Sequence, residues 1–354
     1  MKRLLVLIAA LVFAPAMMAS LAAAKTAEGH AAAQDPKAEE AAAYKAWYDA
    51  NAAKDYAKAM ELAKAYVEKY PGGQNVGYLK DKWVPSTRTY LFNQAIAQKN
   101  MADMIRVGKD VLADNPDNLD YLIAMSVQLR TNELFATPPN LSHAKEAAEF
   151  TERAMKLIES GKTPTPNPNS PFDKNKTIAF FYQTLAVIDD QSKNIDKALE
   201  RYQHAARLDP MSPLYFFHVG RLNQEKYLAS AKKYQELPEA DREASPPKPE
   251  VKAALDDVNK YADGVINGWV RYLGLTADKP TTGDTRSKVE SVVTELYKFR
   301  NNNSTDGLSK LVEQNKTSPT PVSMTTPVEP PKPPAEQKPA ESAATNGKPV
   351  MKKP

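Results

Sequence analysis

The chain has 354 residues, with 47 Lys and Arg against 43 Asp and Glu, and no cysteine. The lack of cysteine excludes disulfides and thiolate metal sites, so a fold of this length must be held by packing. A near balance of charge argues against nucleic acid as a partner, since phosphate binding draws on clustered excess cations.

Only 13 glycines stand beside abundant Ala, Lys, Glu and Leu, residues that lose little side-chain freedom on a helix, and the predicted fold class is all-α. Met1–Ala24 reads as a signal peptide: Lys2 and Arg3, an uncharged run broken by Pro15, then Ala22, Ala23 and Ala24 before Lys25. A retained anchor is the rival reading, since Leu4 to Ala24 is long enough to span a bilayer. Cleavage predicts an exported protein, periplasmic or extracellular, with no stable membrane span and a formal charge reduced from +4 to +2 by loss of the two cations.

Residues 25–40 are polar and Ala-rich and are expected to be a flexible lead-in. Helical patterns follow, punctuated at Pro71, Pro116, Pro138 and Pro139, the run from Thr163 to Pro171, Pro210, and Ser245 to Pro249, because proline cannot continue a helix interior. The clearest unit is "FYQTLAVIDDQSKNIDKALERYQHAARLDP", Phe181 to Pro210. Small residues at Ala186 and Ala198 would let two helices approach, with Tyr182, Leu185 and Tyr202 filling the space beside them. Weaker echoes are "AAAYKAWYDANAAK" with "DYAKAMELAKAYVEKYP"; "RTYLFNQAIAQKNMADMIRVGKDVLADNP"; "DYLIAMSVQLR" with "HAKEAAEFTERAMKLI"; and "PLYFFHVGRLNQEKY".

This pattern resembles the tetratricopeptide repeat, a helix-turn-helix unit. Tyr182 matches its large aromatic, Leu185-Ala186 its Leu-Gly pair, Ala198 and Tyr202 its A-x3-F step, and Asp209-Pro210 its end. Anchors at Ala59, Met104, Ala147 and Ala198 lie 45, 43 and 51 positions apart. Each unit therefore needs longer helices or connections than the family's 34-residue period, and an armadillo-like or HEAT-like array stays open as the rival. The resemblance implies a right-handed α-solenoid over residues 41–227. An irregular helical region and cap over 228–316 is expected to follow, then a disordered Pro-rich tail over 317–354, whose 38 residues hold ten prolines and few large apolar side chains.

No enzymatic constellation stands out. "SGKT" at Ser160 to Thr163 lacks the earlier glycine of a phosphate loop, and the S-x-x-K spacings at Ser142 and Ser230 lack their companion motifs. His204 and His218 flank the Pro210 turn, and two imidazoles there would still lack a third zinc ligand. No cofactor is expected. The resemblance implies a partner peptide or protein held in a concave face of first helices, which by register carries Tyr44, Tyr48, Thr89, Asn93, Gln183, Val187, Phe217 and Arg221. Ile123 and Val127 share that register or belong to the core. The expected function is a non-enzymatic interaction scaffold of the cell envelope. A structural component working through its Pro-rich tail, or an enzyme with an unrecognised helical site, are the alternatives.

Overall fold

The structure is a computed structural model that describes residues 35–168, 171–278 and 283–324, and every described regular element is helical. The signal-peptide segment, the start of the lead-in and the tail beyond Met324 lie outside the described residues. The chain divides into two compact units, one ending at Thr87 and the other beginning at Arg88.

The first unit holds α1 (Pro36–Ala52), α2 (Tyr56–Lys69), a short α3 (Val76–Tyr78), a π-turn (Leu79–Trp83) and the start of α4 (Val84–Ala97). The Asp35 carboxylate accepts from Lys37 N–H, and Pro36 occupies the first turn, where a missing donor costs nothing. Helix therefore begins inside the stretch expected to be a lead-in. Ala59 and Ala63 of α2 are fully buried and allow α1 and α2 to pack closely. Trp47, Tyr66 and Trp83 fill the remaining space; the two indoles meet nearly edge-to-face at 5.3 Å. Tyr66 Oη donates to Glu40 Oε1 at 2.5 Å and Trp83 Nε1 to Asn51 Oδ1 at 3.1 Å, while the buried Trp47 Nε1 has no hydrogen-bond partner among the described residues.

The second unit takes the rest of α4, then α5 (Met101–Asp114), α6 (Leu119–Leu129) continuing into a π-turn (Arg130–Leu134), and α7 (Ala144–Glu159). After these come α8 (Lys174–Gln191), α9 (Ile195–Leu208), α10 (Pro213–Gln235), α11 (Glu239–Arg242), α12 (Pro249–Leu275), α13 (Gly283–Arg300) and α14 (Leu308–Thr317). From α5 to α10 each helix packs on the next, α12 covers α10, and α13 and α14 both lie on α12. This is the serial packing of an α-helical array, in which each unit is buried by its neighbours.

Three turns repeat the same backbone construction. Lys54, Lys99 and Lys193 adopt positive φ angles of 60°, 54° and 63°. Their N–H groups donate to Asn51, Ile96 and Asp190 carbonyls, each at 3.0 Å. The following residues, Asp55, Asn100 and Asn194, reach back to Ala50, Ala95 and Asp189 at 3.0, 2.8 and 2.8 Å. This is a left-handed helix stop of the Schellman type. It leads at once into the next helix, and Asp55 and Asn100 also cap that helix with their side chains. Lys54 and Lys99 are 45 positions apart, as are Ala59 and Met104, so the period inferred from packing residues is also the period of the turns.

Met104, where a small residue was expected, is fully buried. The small position has moved one helical turn to Gly108, beneath which the Met125 thioether lies where a Cβ would fall.

Helix pairing continues beyond Tyr227. Helices α10 and α12 approach through Gly220, Gly264 and Gly268, with the Trp269 indole laid over Gly220 and its Nε1 donating to Phe217 O at 3.0 Å. Residues 236–248 form the insertion between these two long helices. The fully buried Arg271 of α12 then ties three segments together: its guanidinium donates to Pro210 O at 2.6 Å, Asn315 O at 2.8 Å and Ser318 O at 2.9 Å. The chain after α14 is also held. Asn315 exchanges two hydrogen bonds with the Val322 backbone, at 2.8 and 3.0 Å, and Met324 N–H donates to Asn267 Oδ1 at 2.8 Å. The stretch expected to lack packing from Thr317 is thus packed as far as Met324.

Candidate partner-binding surfaces

In the first unit the predicted residues stand on an aromatic cluster. Trp47 is buried, and around it lie the rings of Tyr44 at 4.9 Å, Tyr48 at 6.4 Å and Tyr78 at 6.1 Å. Tyr48 is 56% exposed and Tyr78 48%, so two large amphipathic rings face solvent on a fixed base. Tyr44 is half-buried, and burial pushes its phenol above the ordinary range, with Tyr78 and Tyr48 adding to the effect. Sequence register singled out Tyr44 and Tyr48 but not Tyr78, which sits in a three-residue helix outside the paired pattern.

In the second unit Thr89 and Asn93 are exposed on α4, Thr89 Oγ1 lying 3.2 Å from Tyr121 Oη. Ile123 and Val127 are half-buried. Gln183 and Val187, expected to line an open face, are buried at 1% and 8% exposure. Helix α8 is covered by α7, α9 and the π-turn after α6, which leaves it too little free surface for a groove lining. Phe217 is half-buried, its ring 5.5 Å from His218 and 5.3 Å from Tyr272. Arg221 is engaged in an ion pair with Asp190 and lies 3.8 Å from Glu225.

What Gln183 does touch is Arg130, a residue the sequence pattern did not single out. Arg130 Nη2 donates to Gln183 Oε1 at 2.8 Å, and the guanidinium lies 4.2 Å from the ring centres of both Phe135 and Phe180. Burial lowers the Arg130 pKa from its usual value, but a guanidinium stays charged in a protein. Close by, His218 stacks on Tyr202 at 4.5 Å with the rings only 8° from parallel. Burial, assisted by the Arg221 charge, pushes His218 down to about 4, so it is neutral at pH 7. Burial raises the Tyr202 phenol, and pushes that of Tyr215 up to about 12 with help from Asp209. His204 instead stacks on Tyr182 at 5.0 Å, so each imidazole faces a tyrosine.

Among the described residues no three His, Asp or Glu are placed to hold a metal, and no helix is long and apolar enough to cross a membrane. Two adjoining pockets of about 470 and 490 Å³ share Gln203, Phe216, Val219 and Pro321 in their linings.

No family model matches this chain, and no curated protein does. Among solved structures, one similar chain is a TPR repeats protein from Bacteroides fragilis NCTC 9343, with 16% sequence identity, 73% of this chain and 97% of that chain covered, and a TM-score of 0.35. At that TM-score the likeness decides nothing; the paired-helix architecture rests on the contacts and turns described above.

Proposed function

We propose that this protein is an exported, non-enzymatic interaction scaffold of the cell envelope that binds a partner peptide or protein on its helical array. The observation that carries the reading is the exposed Tyr48 and Tyr78 pair braced on buried Trp47. Tyrosine rings combine large contact area with a polar tip and little rotamer entropy, and they are enriched at the energetic centres of interfaces. Tyr44 belongs to the same patch. Thr89, Asn93, Phe217 and Arg221 are secondary candidates on the second unit, while Gln183 and Val187 would act only through the residues they support. Export is inferred from the order of residues in Met1–Ala24.

The test is capture of envelope proteins on the mature chain and on a Tyr48→Ala, Tyr78→Ala variant of equal thermal stability. Loss of an interface anchor of this type weakens binding by about tenfold or more, so a partner retained by the parent should be depleted from the variant. Equal recovery would contradict the assignment of this surface.

A further inference from the structure

The two pockets that share Phe216 and Val219 adjoin as one groove in the second unit, lined by α9, α10 and α12. Helices α9 and α12 both pack on α10. On α10 the groove takes Phe216, Val219 and Asn223, not Phe217 or Arg221, so it is distinct from the face assigned to an outside partner. Leu199 and Tyr261 extend the apolar lining, and the Lys226 ammonium lies 4.6 Å from the Tyr261 ring centre. Each pocket falls within the roughly 300–1,000 Å³ of ordinary ligand sites.

Three observations identify an occupant. The chain after α14 already enters the groove: Pro321 lines both pockets and Thr320 one of them, with Val322 pinned by the two Asn315 hydrogen bonds. The described residues then end at Met324, whose N–H donates to Asn267, itself part of the lining, and Thr325 to Pro354 follow from that point. The sequence also repeats there. Thr320-Pro321-Val322 recurs as Thr326-Pro327-Val328, and Glu329 is the first charged residue after Lys316. Charge in the lining is complementary. Lys226 is neutralised by Asp196, whereas Lys260, 5.2 Å from the Tyr261 ring centre, is paired with no carboxylate among the described residues.

The lengths agree as well. In an extended polyproline-type chain of about 3.1 Å per residue, Pro327 falls about 9 Å and Glu329 about 15 Å past Met324. Along α12, at about 1.5 Å per residue, Gly264 and Lys260 lie about 5 and 10 Å from Asn267, and the flexible lysine stem covers the difference. The geometry points to this groove as the docking site of the chain's own residues 326–329, with Pro327 and Val328 against Gly264 and Tyr261 and the Glu329 carboxylate on Lys260. An extended proline-containing segment suits an apolar groove with an aromatic wall because it has little conformational freedom to lose. The short tether from Met324 sets an effective concentration on the order of millimolar, so even weak contacts keep the groove occupied. This site is in the second unit and is independent of the tyrosine patch proposed above.

The test is paramagnetic relaxation NMR on the full mature chain. Because the protein has no cysteine, Lys332→Cys provides a single nitroxide position just beyond the docking segment. Docking predicts loss of the Gly264 and Gly268 amide signals, with Gly108 on α5 unaffected, and return of both signals when Val328→Asp and Glu329→Lys are added. All three substitutions follow Met324 and leave every described residue in place. Unchanged Gly264 and Gly268 signals, or equal losses at Gly108, would overturn the site. So would losses that persist in the Val328→Asp, Glu329→Lys chain, since the tail would then pass over the surface without a seat. A one-to-one mixture of nitroxide-labelled chains and unlabelled, isotope-enriched chains separates the source: losses of equal size there would place the segment on a second copy and overturn docking within one chain.

Discussion

Gly220 and Gly268 meet across α10 and α12: a Cβ on Gly268 would lie 2.8 Å from the Gly220 amide nitrogen and 3.2 Å from the Phe216 carbonyl oxygen. Backbone, not a movable side chain, stands in the way. Alanine would gain about 1 kcal/mol in helix propensity, yet the two helices would have to separate. Gly268→Ala is therefore expected to lose about 1–3 kcal/mol net by overpacking. Gly108→Ala, where the obstacle is the flexible Met125 side chain, should stay within about 1 kcal/mol of the parent. Urea melts of the two variants check the order; the reverse order would mean that backbone proximity does not govern the α10–α12 seam.

Ala198 is fully buried between α8 and α9. Ala198→Leu should cost about 1–3 kcal/mol for the same steric reason. An unchanged melting midpoint would remove Ala198 from the helix contact.

Arg271 satisfies carbonyls at Pro210, Asn315 and Ser318. Arg271→Met fills most of the volume and leaves those acceptors orphaned, a loss of about 2–4 kcal/mol. Hydrogen exchange should quicken first in residues 308–324, since these depend on the clamp. Uniform quickening across α5 to α9 would show that Arg271 has no local role.

Lys54, Lys99 and Lys193 occupy a left-handed backbone region that disfavours side chains. Replacement by glycine relieves that strain at some entropic cost, so each Lys→Gly change should raise stability by about 0.5–1 kcal/mol. Destabilisation measured by chemical melts would mean that the lysine side chains make contacts that outweigh the strain.

His218 titrates at about 4 in the folded chain, below the ordinary 6.5. The unfolded chain then takes up the proton first, so this contribution is fully present above pH 6.5 and is lost as pH falls toward 4. Its size is up to about 3 kcal/mol. His218→Phe, which keeps a ring against Tyr202, should show a flatter stability profile than the parent between pH 6.5 and 4. Parallel profiles would place the His218 imidazole in water.

Fold class was legible because composition and proline spacing act locally on helices, and because Ala198 and Tyr202 carry the packing of α8 on α9 in sequence order. The α10–α12 pair was not legible. Its close approach is made by glycines 48 residues apart in sequence, Gly220 and Gly268, and glycine in a helix reads locally as a weakness. Register placed Tyr44 and Tyr48 on an accessible face but put Gln183 and Val187 there too. The burial of those two comes from α7, α9 and the π-turn after α6 closing over α8 together, and the π-turn has no simple sequence signature. Arg130 escaped notice for a related reason: its contacts with Gln183 and Phe180 join segments about 50 residues apart and are visible only in three dimensions. The repeated Lys-Asx turn was available in the sequence, and its 45-residue spacing from Lys54 to Lys99 is the signal that could have found it.

The most direct test of the interaction reading is photocrosslinking in the exporting cell, with a benzophenone amino acid placed at Tyr48 or, on the adjacent α2, at the exposed Glu61. A scaffold that uses the tyrosine patch predicts a discrete protein adduct at position 48 and none at position 61. No adduct at 48, or equal adducts at both positions, would contradict it.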